Sequence, residues 1–262
     1  MSETQHHADG EQHVHKARRV HMNSGPQLTN RLESFWTILG QQGILDYVQA
    51  QRFLGLLSPE PDKMKQPGIL SAERTRKLLR PWIDEGVLCY RAYYARQKGV
   101  FWLTTKGYKY AQLNLRYYEP VPSSLSRLIA INNVRLLIAE RHPKDTWRSE
   151  REIRAQQNVN AKDSTTPHVP DAELISPDGN VRAIEVELTI KAEKRLESIV
   201  FELAANKHYN AIWYFLPESV YSAVTKAVRK LPHEHRKRFV FFRLNGDPHT
   251  HESEESTQES GT

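Results

Sequence analysis

The sequence predicts an α+β protein of two domains: a helical domain that carries a β-hairpin, followed by an α/β domain built on a mixed sheet. Three observations predict this class. Apolar residues repeat at helical spacing in the first third, whereas short apolar runs alternate with helical patterns after residue 125. The proline-rich segment EPVPSS at 119–124 separates the two patterns. With 262 residues, 39% of them hydrophobic, the chain can bury a core in each domain.

The charge of the chain is unevenly distributed. Lys and Arg number 37 against 31 Asp and Glu, for a formal charge of +6. The segment 246–262 holds five acids and no Lys or Arg, so residues 1–245 carry +11. A basic body with an acidic tail favours a nucleic-acid partner, although ordinary surface lysines would give the same total.

Both ends of the chain are predicted to be disordered tails. Residues 1–26 hold five histidines without an apolar period, and a solvated tail explains them better than a metal site. Residues 246–262 form the acidic tail. Cys89 is the only cysteine, so an internal disulfide is excluded. We find no apolar segment of signal-peptide or membrane-spanning type and expect a cytoplasmic protein without a membrane partner.

Residues 27–118 are predicted to form a winged helix-turn-helix. Helical patterns cover 28–43, 44–57 and 71–86, and Ser71 is a plausible N-cap of the third helix. Two β-like runs, VLCYRAYY and VFWLTT, are joined by ARQKG, and a short helix follows in KGYKYAQLNL. Three helices followed by a basic hairpin is the order typical of a winged helix.

Basic residues concentrate on the third predicted helix and in the hairpin. In a winged helix these elements contact the major groove and the adjacent phosphates. We therefore predict DNA contacts from seven side chains: Arg74, Arg76, Lys77, Arg80, Arg91, Arg96 and Lys98. The alternatives are a helical domain whose charges only face water, and a winged helix that binds protein.

Residues 123–245 predict a mixed sheet with helices on both faces. The predicted helices cover 125–141, 191–206 and 218–231. The predicted strands cover 146–149, 171–175, 181–188, 211–216 and 238–244, and SPDG turns the chain between the second and third. We expect a polar stretch at 151–167 and a basic loop, HEHRKR, at 233–238.

Three carboxylates are predicted to converge on one face of this sheet. Asp171 begins one strand, and Glu185 and Glu187 lie two residues apart on the next. A hairpin would bring Asp171 beside Glu185, and such oxygen ligands suit Mg²⁺ or Mn²⁺. A metal would explain acids within an apolar run and would assist phosphodiester hydrolysis. Glu150 and Glu152 are candidates for a further acid.

The motifs VPDAELI and AIEVELTIK, in this order of elements, resemble the PD-(D/E)xK nuclease superfamily. Pro170 and Asp171 match its PD element, and Glu185 and Glu187 lie where (D/E)xK belongs. Together with the predicted winged helix, LSRLIAINNVRLLI and WRSEREIR, the chain from 28 to 244 resembles the replication-relaxation family. Those proteins belong to plasmids and conjugative elements and are similar to MobC-type mobilisation proteins.

The resemblance implies a fold, a cofactor and a set of catalytic residues. The cofactor is Mg²⁺ or Mn²⁺, the metal ligands are Asp171, Glu185 and Glu187, and Lys191 completes the catalytic set. The chain departs from the motif at Glu187, where the superfamily has lysine. Either Lys191 supplies that charge from a new position, or a glutamate acts there, or the two side chains simply pair at the strand–helix junction.

Two functions of different classes remain open from the sequence. The first is a Mg²⁺-dependent DNA endonuclease or nickase of plasmid or mobile-element replication and mobilisation, which Asp171 and Glu185 favour. The second is a non-catalytic DNA-binding accessory that recruits a relaxase or a replication or transposition protein, which Glu187 favours. A transcriptional regulator whose second domain senses or dimerises is a third and weaker reading.

Overall fold

A computed structural model describes residues 28–59, 68–93, 99–157 and 168–244. The predictions for the tails 1–26 and 246–262, and for Arg96 and Lys98, lie outside these residues. The described residues form a mixed α+β architecture with one three-stranded and one five-stranded sheet. No helix in this part of the chain combines the length and the apolar character needed to cross a membrane.

The first half contains the predicted helices and hairpin. Its elements are α1 (Asn30–Gln42), β1 (Leu45–Asp46), α2 (Tyr47–Leu56), α3 (Ala72–Asp84), β2 (Leu88–Arg91), β3 (Val100–Leu103) and α4 (Thr105–Tyr110). The predicted cap of α3 is confirmed, since Ser71 Oγ accepts from Arg74 N at 3.3 Å. The sequence did not predict β1, whose two residues pair with β3 and are too few to show an alternating pattern.

The core of the first half follows from helical spacing. Leu32, Phe35, Trp36 and Leu39 share one face of α1 and are buried. The ring of Trp36 meets the ring of Trp82 from α3 edge to face, with centroids 5.4 Å apart. This contact leaves the charged face of α3 toward solvent.

The second half contains the predicted elements and two unpredicted short helices. Its elements are α5 (Leu125–Arg141), β4 (Thr146–Ser149), α6 (Glu150–Gln156), β5 (Ala172–Ile175), β6 (Val181–Val186), α7 (Glu193–Ala205), β7 (Ala211–Leu216), α8 (Glu218–Arg229), α9 (His233–Arg236) and β8 (Phe239–Arg243). The predictions of a polar stretch from 151 and of a loop at 233–238 are corrected by α6 and α9. Helix α6 shows no apolar period in the sequence, because Ile153 is its only buried residue. A capping box between Ser149 and Glu152 starts the helix instead.

The five-stranded sheet has the predicted mixed character. Its order is β4-β5-β6-β7-β8, with antiparallel pairing from β4 to β6 and parallel pairing from β6 to β8. Helix α5 packs on one face, where Ile131 and Val134 meet Ile184. Helices α7 and α8 pack on the other, where Leu196 and Val224 belong to the same core. The acids of β5 and β6 belong to the face that α7 covers.

The two halves share a buried polar interface. Asn132 of α5 is fully buried, donates to Ile44 O at 2.8 Å and accepts from Gln42 Nε2 at 2.7 Å. Gln49 of α2 donates to Ile129 O and to Asn133 Oδ1, both at 2.8 Å. Because buried polar groups bond only in defined geometries, these contacts hold α5 in one position against α1 and α2.

Candidate functional site

Asp171 and Glu185 lie side by side on the face of the sheet that α7 covers. The register pairs Ala172 with Ile184, which places Asp171 directly opposite Glu185, as the sequence predicts. In the parallel ladder beyond, Glu185 pairs with Tyr214 of β7. At the other edge, Glu150 N donates to Asp171 O at 2.9 Å, so Glu150 lies next to this row.

The predicted acids are buried, and a protein cation compensates each of them. Asp171, Glu185 and Glu187 are 3%, 5% and 7% exposed. Arg127 donates to Asp171 Oδ1, His168 Nε2 lies 2.7 Å from Glu185 Oε1, and Lys191 Nζ pairs with Glu187 Oε2. Each of the three carboxylates therefore has a counter-charge within the chain, and the metal at this site stays a prediction.

Two of these cations were not predicted. Arg127 lies on the first turn of α5, is about half exposed, and also approaches Glu150 Oε2 to 3.9 Å. His168 precedes β5, and its backbone N–H donates to Glu202 Oε2 of α7 at 2.8 Å, which fixes the segment. His168 lies only three residues before Asp171, so a search of the motif's flanks for a base would have found it. No spacing rule connects Arg127 with a residue 44 positions later.

Lys191, which the sequence offered as one source of the charge that the motif lacks at Glu187, is partly buried. It lies between β6 and α7, and its ammonium contacts Glu187 close to the charges of Glu185 and Asp171. Burial lowers its pKa, although the Glu185 and Asp171 carboxylates act in the opposite direction. The pairing of Lys191 with Glu187 that the sequence left as an alternative is therefore present.

The Asp171 carboxyl group is buried and faces a second carboxylate, and both features change its pKa. Burial, followed by the Glu185 carboxylate, raises the pKa of Asp171 to about 7, although Arg127 and the N–H of Val186 favour its charged form. Burial alone would lower the pKa of His168, but the Glu185 carboxylate and its hydrogen bond raise it overall.

Tyr214 leaves an unsatisfied polar atom beside the acids. It is 1% exposed, and its hydroxyl has no hydrogen-bond partner within the described residues. Burial, together with the charges of Glu185 and Asp171, raises its pKa well above the usual value. A buried hydroxyl without a partner indicates a place where water, an ion or a ligand can bind.

The donor set fits a divalent cation in part. Asp171 and Glu185 provide carboxylate oxygens, and within the described residues the hydrogen bonding of Glu185 uses Oε1 alone. No group of three or more His, Cys, Asp or Glu in that part of the chain is arranged to hold a metal. Of the other candidates, Glu150 lies at the site, whereas Glu152 faces the first half and accepts from Gln41 at 2.9 Å.

A second buried acid on the same face has a complete set of partners. Glu173, two residues after Asp171, pairs with Arg148 across the strand. Its Oε1 accepts from Tyr209 Oη at 3.2 Å and lies 3.5 Å from His208 Nε2. These contacts assign Glu173 a structural role and separate it from the site at Asp171.

The predicted DNA-binding residues of α3 are exposed. Arg74 and Arg76 extend from the helix into solvent, Lys77 pairs with Glu73 at 2.9 Å, and Arg80 pairs with Asp84 at 2.8 Å. The predicted residue of the hairpin, Arg91, is exposed at the end of β2. Exposed pairs of this kind are weak and leave the cations available to a partner.

Comparisons with family models, with curated proteins and with solved structures give no match to this chain.

Proposed function

We propose that the protein binds DNA through its first half and cleaves it at Asp171 and Glu185 in a reaction that depends on Mg²⁺ or Mn²⁺. The observation that carries the proposal is the register of β5 and β6, which places Asp171 opposite Glu185, next to Tyr214 with its unpartnered hydroxyl. A buried carboxylate whose pKa is raised, and which faces a second carboxylate, is typical of functional sites. The resemblance of the sequence to plasmid mobilisation proteins suggests the biological setting.

The residues around the pair suit a phosphodiester substrate. A cation held by Asp171 and Glu185 would supply charge neutralisation on the phosphate and activation of water. Lys191 adds a positive charge next to both acids, and half-exposed Arg127 can reach a phosphate oxygen without leaving the site. In this reading Lys191 replaces the lysine of the superfamily motif from a position four residues later.

The first half supports the DNA-binding part of the proposal. Its three helices and antiparallel hairpin have the order of a winged helix, and α3 presents an exposed basic face. In this interpretation α3 enters the major groove, and the hairpin with Arg91 lies over the adjacent backbone. The affinity would then come largely from phosphate contacts and would fall with added salt.

One observation favours a non-catalytic accessory instead. Each acid already has a protein counter-charge, and a metal at Asp171 would have to compete with Arg127. A protein of this kind would use the second half as a platform for a relaxase or a replication protein. Its acids would contribute to folding alone.

Incubation with supercoiled plasmid separates the two functions. The nuclease predicts nicked or linear product with Mg²⁺ or Mn²⁺ and none with EDTA. If supercoiled, relaxed and single-stranded DNA all stay intact with either metal while the protein still shifts DNA in a gel, the accessory function replaces it. Loss of both binding and cleavage would reject the two together.

A salt titration tests the assignment of α3. Replacing Arg76 and Arg80 by Ala should weaken binding and flatten the salt dependence, by roughly 0.9 in the log–log slope for each phosphate that the variant no longer neutralises. Replacing Arg229 and Arg236, two exposed arginines of the second half, provides the matched control. Equal losses of affinity in both double variants would mean that α3 is not the recognition helix.

A further inference from the structure

A cavity of about 390 Å³ opens between α3, the start of α2 and the hairpin. Its lining is mainly apolar and aromatic, and Arg76 and Arg80 border it from the exposed face of α3. An apolar cavity of about 150 Å³ is enough to bind benzene, so this one can receive a larger ring system. The cavity lies on the surface that the proposed function assigns to DNA. The sequence motifs did not predict a cavity there.

The aromatic walls of the cavity are held in place by their own hydroxyls. Tyr90 Oη accepts from Gly99 N at 3.0 Å, and Tyr47 Oη donates to Ala72 O at 2.9 Å. The ring of Tyr90 packs on Phe101 with centroids 4.6 Å apart, and 42% of Tyr90 remains exposed. A rigid, partly exposed aromatic face is a surface on which another flat ring can stack at little entropic cost.

The accessible surfaces of the cavity are aromatic and cationic. Thr75 of α3 belongs to the wall, but it is fully buried, so a ligand in the cavity does not reach its hydroxyl. The surfaces that a ligand can contact are the exposed face of Tyr90 and the two arginines at the mouth. The cavity therefore suits a flat ring.

The charge at the cavity mouth selects an anion. Arg76 and Arg80 lie four residues apart on one side of α3, so both guanidinium groups reach the same region. Arg80 shares its charge with Asp84, but no ion pair to Arg76 occurs in the part of the chain that the structure describes. A nucleotide combines a flat ring with a phosphate and so meets both requirements.

We propose that this cavity receives an unstacked DNA base, which packs against Tyr90 while Arg76 and Arg80 hold its phosphate. The inference rests on the proposed DNA binding and deepens it by naming the form of DNA. Bases inside a duplex are stacked and cannot enter, so the preferred substrate has an unpaired or extruded base near the contact of α3.

Binding to matched oligonucleotides tests the inference. The probes are a duplex, the same duplex with a one-base bulge of 2-aminopurine, and free dAMP as competitor. We expect preference for the bulged duplex and quenching of the 2-aminopurine fluorescence on binding. Tyr90→Ala should lower the affinity for the bulged duplex by about 5- to 150-fold, the range of stacking one base on an aromatic side chain, with little change for the intact duplex.

Tyr117→Ala is the matched control, because Tyr117 is 40% exposed and does not line the cavity. If Tyr90→Ala unfolds, the preference of the wild type for the bulged duplex and its 2-aminopurine fluorescence still decide the matter.

Equal affinity for the two duplexes with unquenched 2-aminopurine would overturn the base pocket and leave the proposed function intact. Competition by dAMP without any preference for the bulge would also overturn it, because the cavity would then take free nucleotides. Failure to bind any DNA would remove the proposed function itself.

Discussion

Two buried acids on the same face of the sheet differ although they lie only two residues apart, at Asp171 and Glu173. Glu173 is 1% exposed and faces Ala183 across the hairpin, with Arg148 and Tyr209 as partners. Asp171 is 3% exposed and faces Glu185, a second carboxylate. The two acids are buried to nearly the same extent, but the residues opposite them on the neighbouring strand differ.

The comparison shows which kind of buried charge can be functional. Around Glu173 the ion pair with Arg148 and the hydrogen bond from Tyr209 stabilise the fold. Around Asp171, burial and then the neighbouring Glu185 carboxylate raise the pKa of Asp171 to about 7 despite Arg127. An arrangement that costs stability is expected where chemistry needs it, because stability and activity compete for the same side chains.

Cleavage should separate the two acids most strongly. Under the proposed function, Asp171→Asn removes a metal ligand and should lower the Mg²⁺-dependent rate by about 10²- to 10³-fold or more, the scale of losing a key electrostatic group. Glu173→Gln should cut at close to the wild-type rate once both proteins are compared at a temperature where they are folded. Both variants should bind DNA like the wild type. Equal activity of the two variants would place the reaction elsewhere.

Stability should change in opposite directions in the same two variants. The pKa of Asp171 is higher in the folded state than in the unfolded state, so protonated Asp171 stabilises the fold. This contribution to the free energy of unfolding is complete below about pH 4 and is lost as the pH rises through about 7. At pH 8, Asp171→Asn should be more stable than the wild type, with an upper bound of roughly 4 kcal/mol at about 1.4 kcal/mol per pKa unit. At pH 4 the two should be nearly equal.

Glu173→Gln should instead lose about 3 kcal/mol at pH 8, because it leaves Arg148 without its buried carboxylate. Urea unfolding at pH 4 and pH 8 measures both variants. A loss of stability in Asp171→Asn at pH 8 would contradict the electrostatic contrast between the two acids.

Lys191 sharpens the comparison further, since it pairs with Glu187 and the charge of Asp171 acts on its pKa. Lys191→Met should reduce cleavage by about 10- to 100-fold if its ammonium stabilises charge in the transition state. Lys194→Met, an exposed lysine of α7, is the control. A small effect of Lys191→Met together with a large effect of Glu187→Gln would mean that the glutamate acts where the superfamily has lysine.

Metal binding should give the smallest effect. At a Mn²⁺ concentration about ten times the dissociation constant, a ligand that binds only the folded state stabilises it by about 1.4 kcal/mol. That corresponds to an increase in Tm of about 2–4 °C for a protein of this size. Glu185→Gln should abolish the increase, and Glu173→Gln should keep it. An undiminished increase in Glu185→Gln would place the metal outside the acidic pair.

The sequence predicted the parts of this site that are local in the chain. A period of two residues and the SPDG turn place Asp171 near Glu185, because a short turn sets the register of a hairpin. Arg127, His168 and Tyr214 were not found in this way. Arg127 and Tyr214 reach the site from other elements, through packing of α5 and pairing of β7, which single-sequence patterns do not report.

The short helices show the same limit. Periodicity predicted α5 to the residue, since 17 residues repeat the apolar pattern several times. Helix α6 has seven residues and is held by its capping box and by contacts with the first half. Its sequence is polar, and only the folded surroundings make it helical.

The buried hydrogen bonds of Asn132 and Gln49 hold the two halves of the molecule at a fixed distance from each other. Helix α5 carries both Asn132, which fastens it to the first half, and Arg127, which touches Asp171. DNA held on α3 would therefore meet the acids at a constant number of nucleotides from the recognised base, whatever the sequence there. Loosening the joint with Asn132→Ala would broaden the distribution of product lengths before it stopped cleavage.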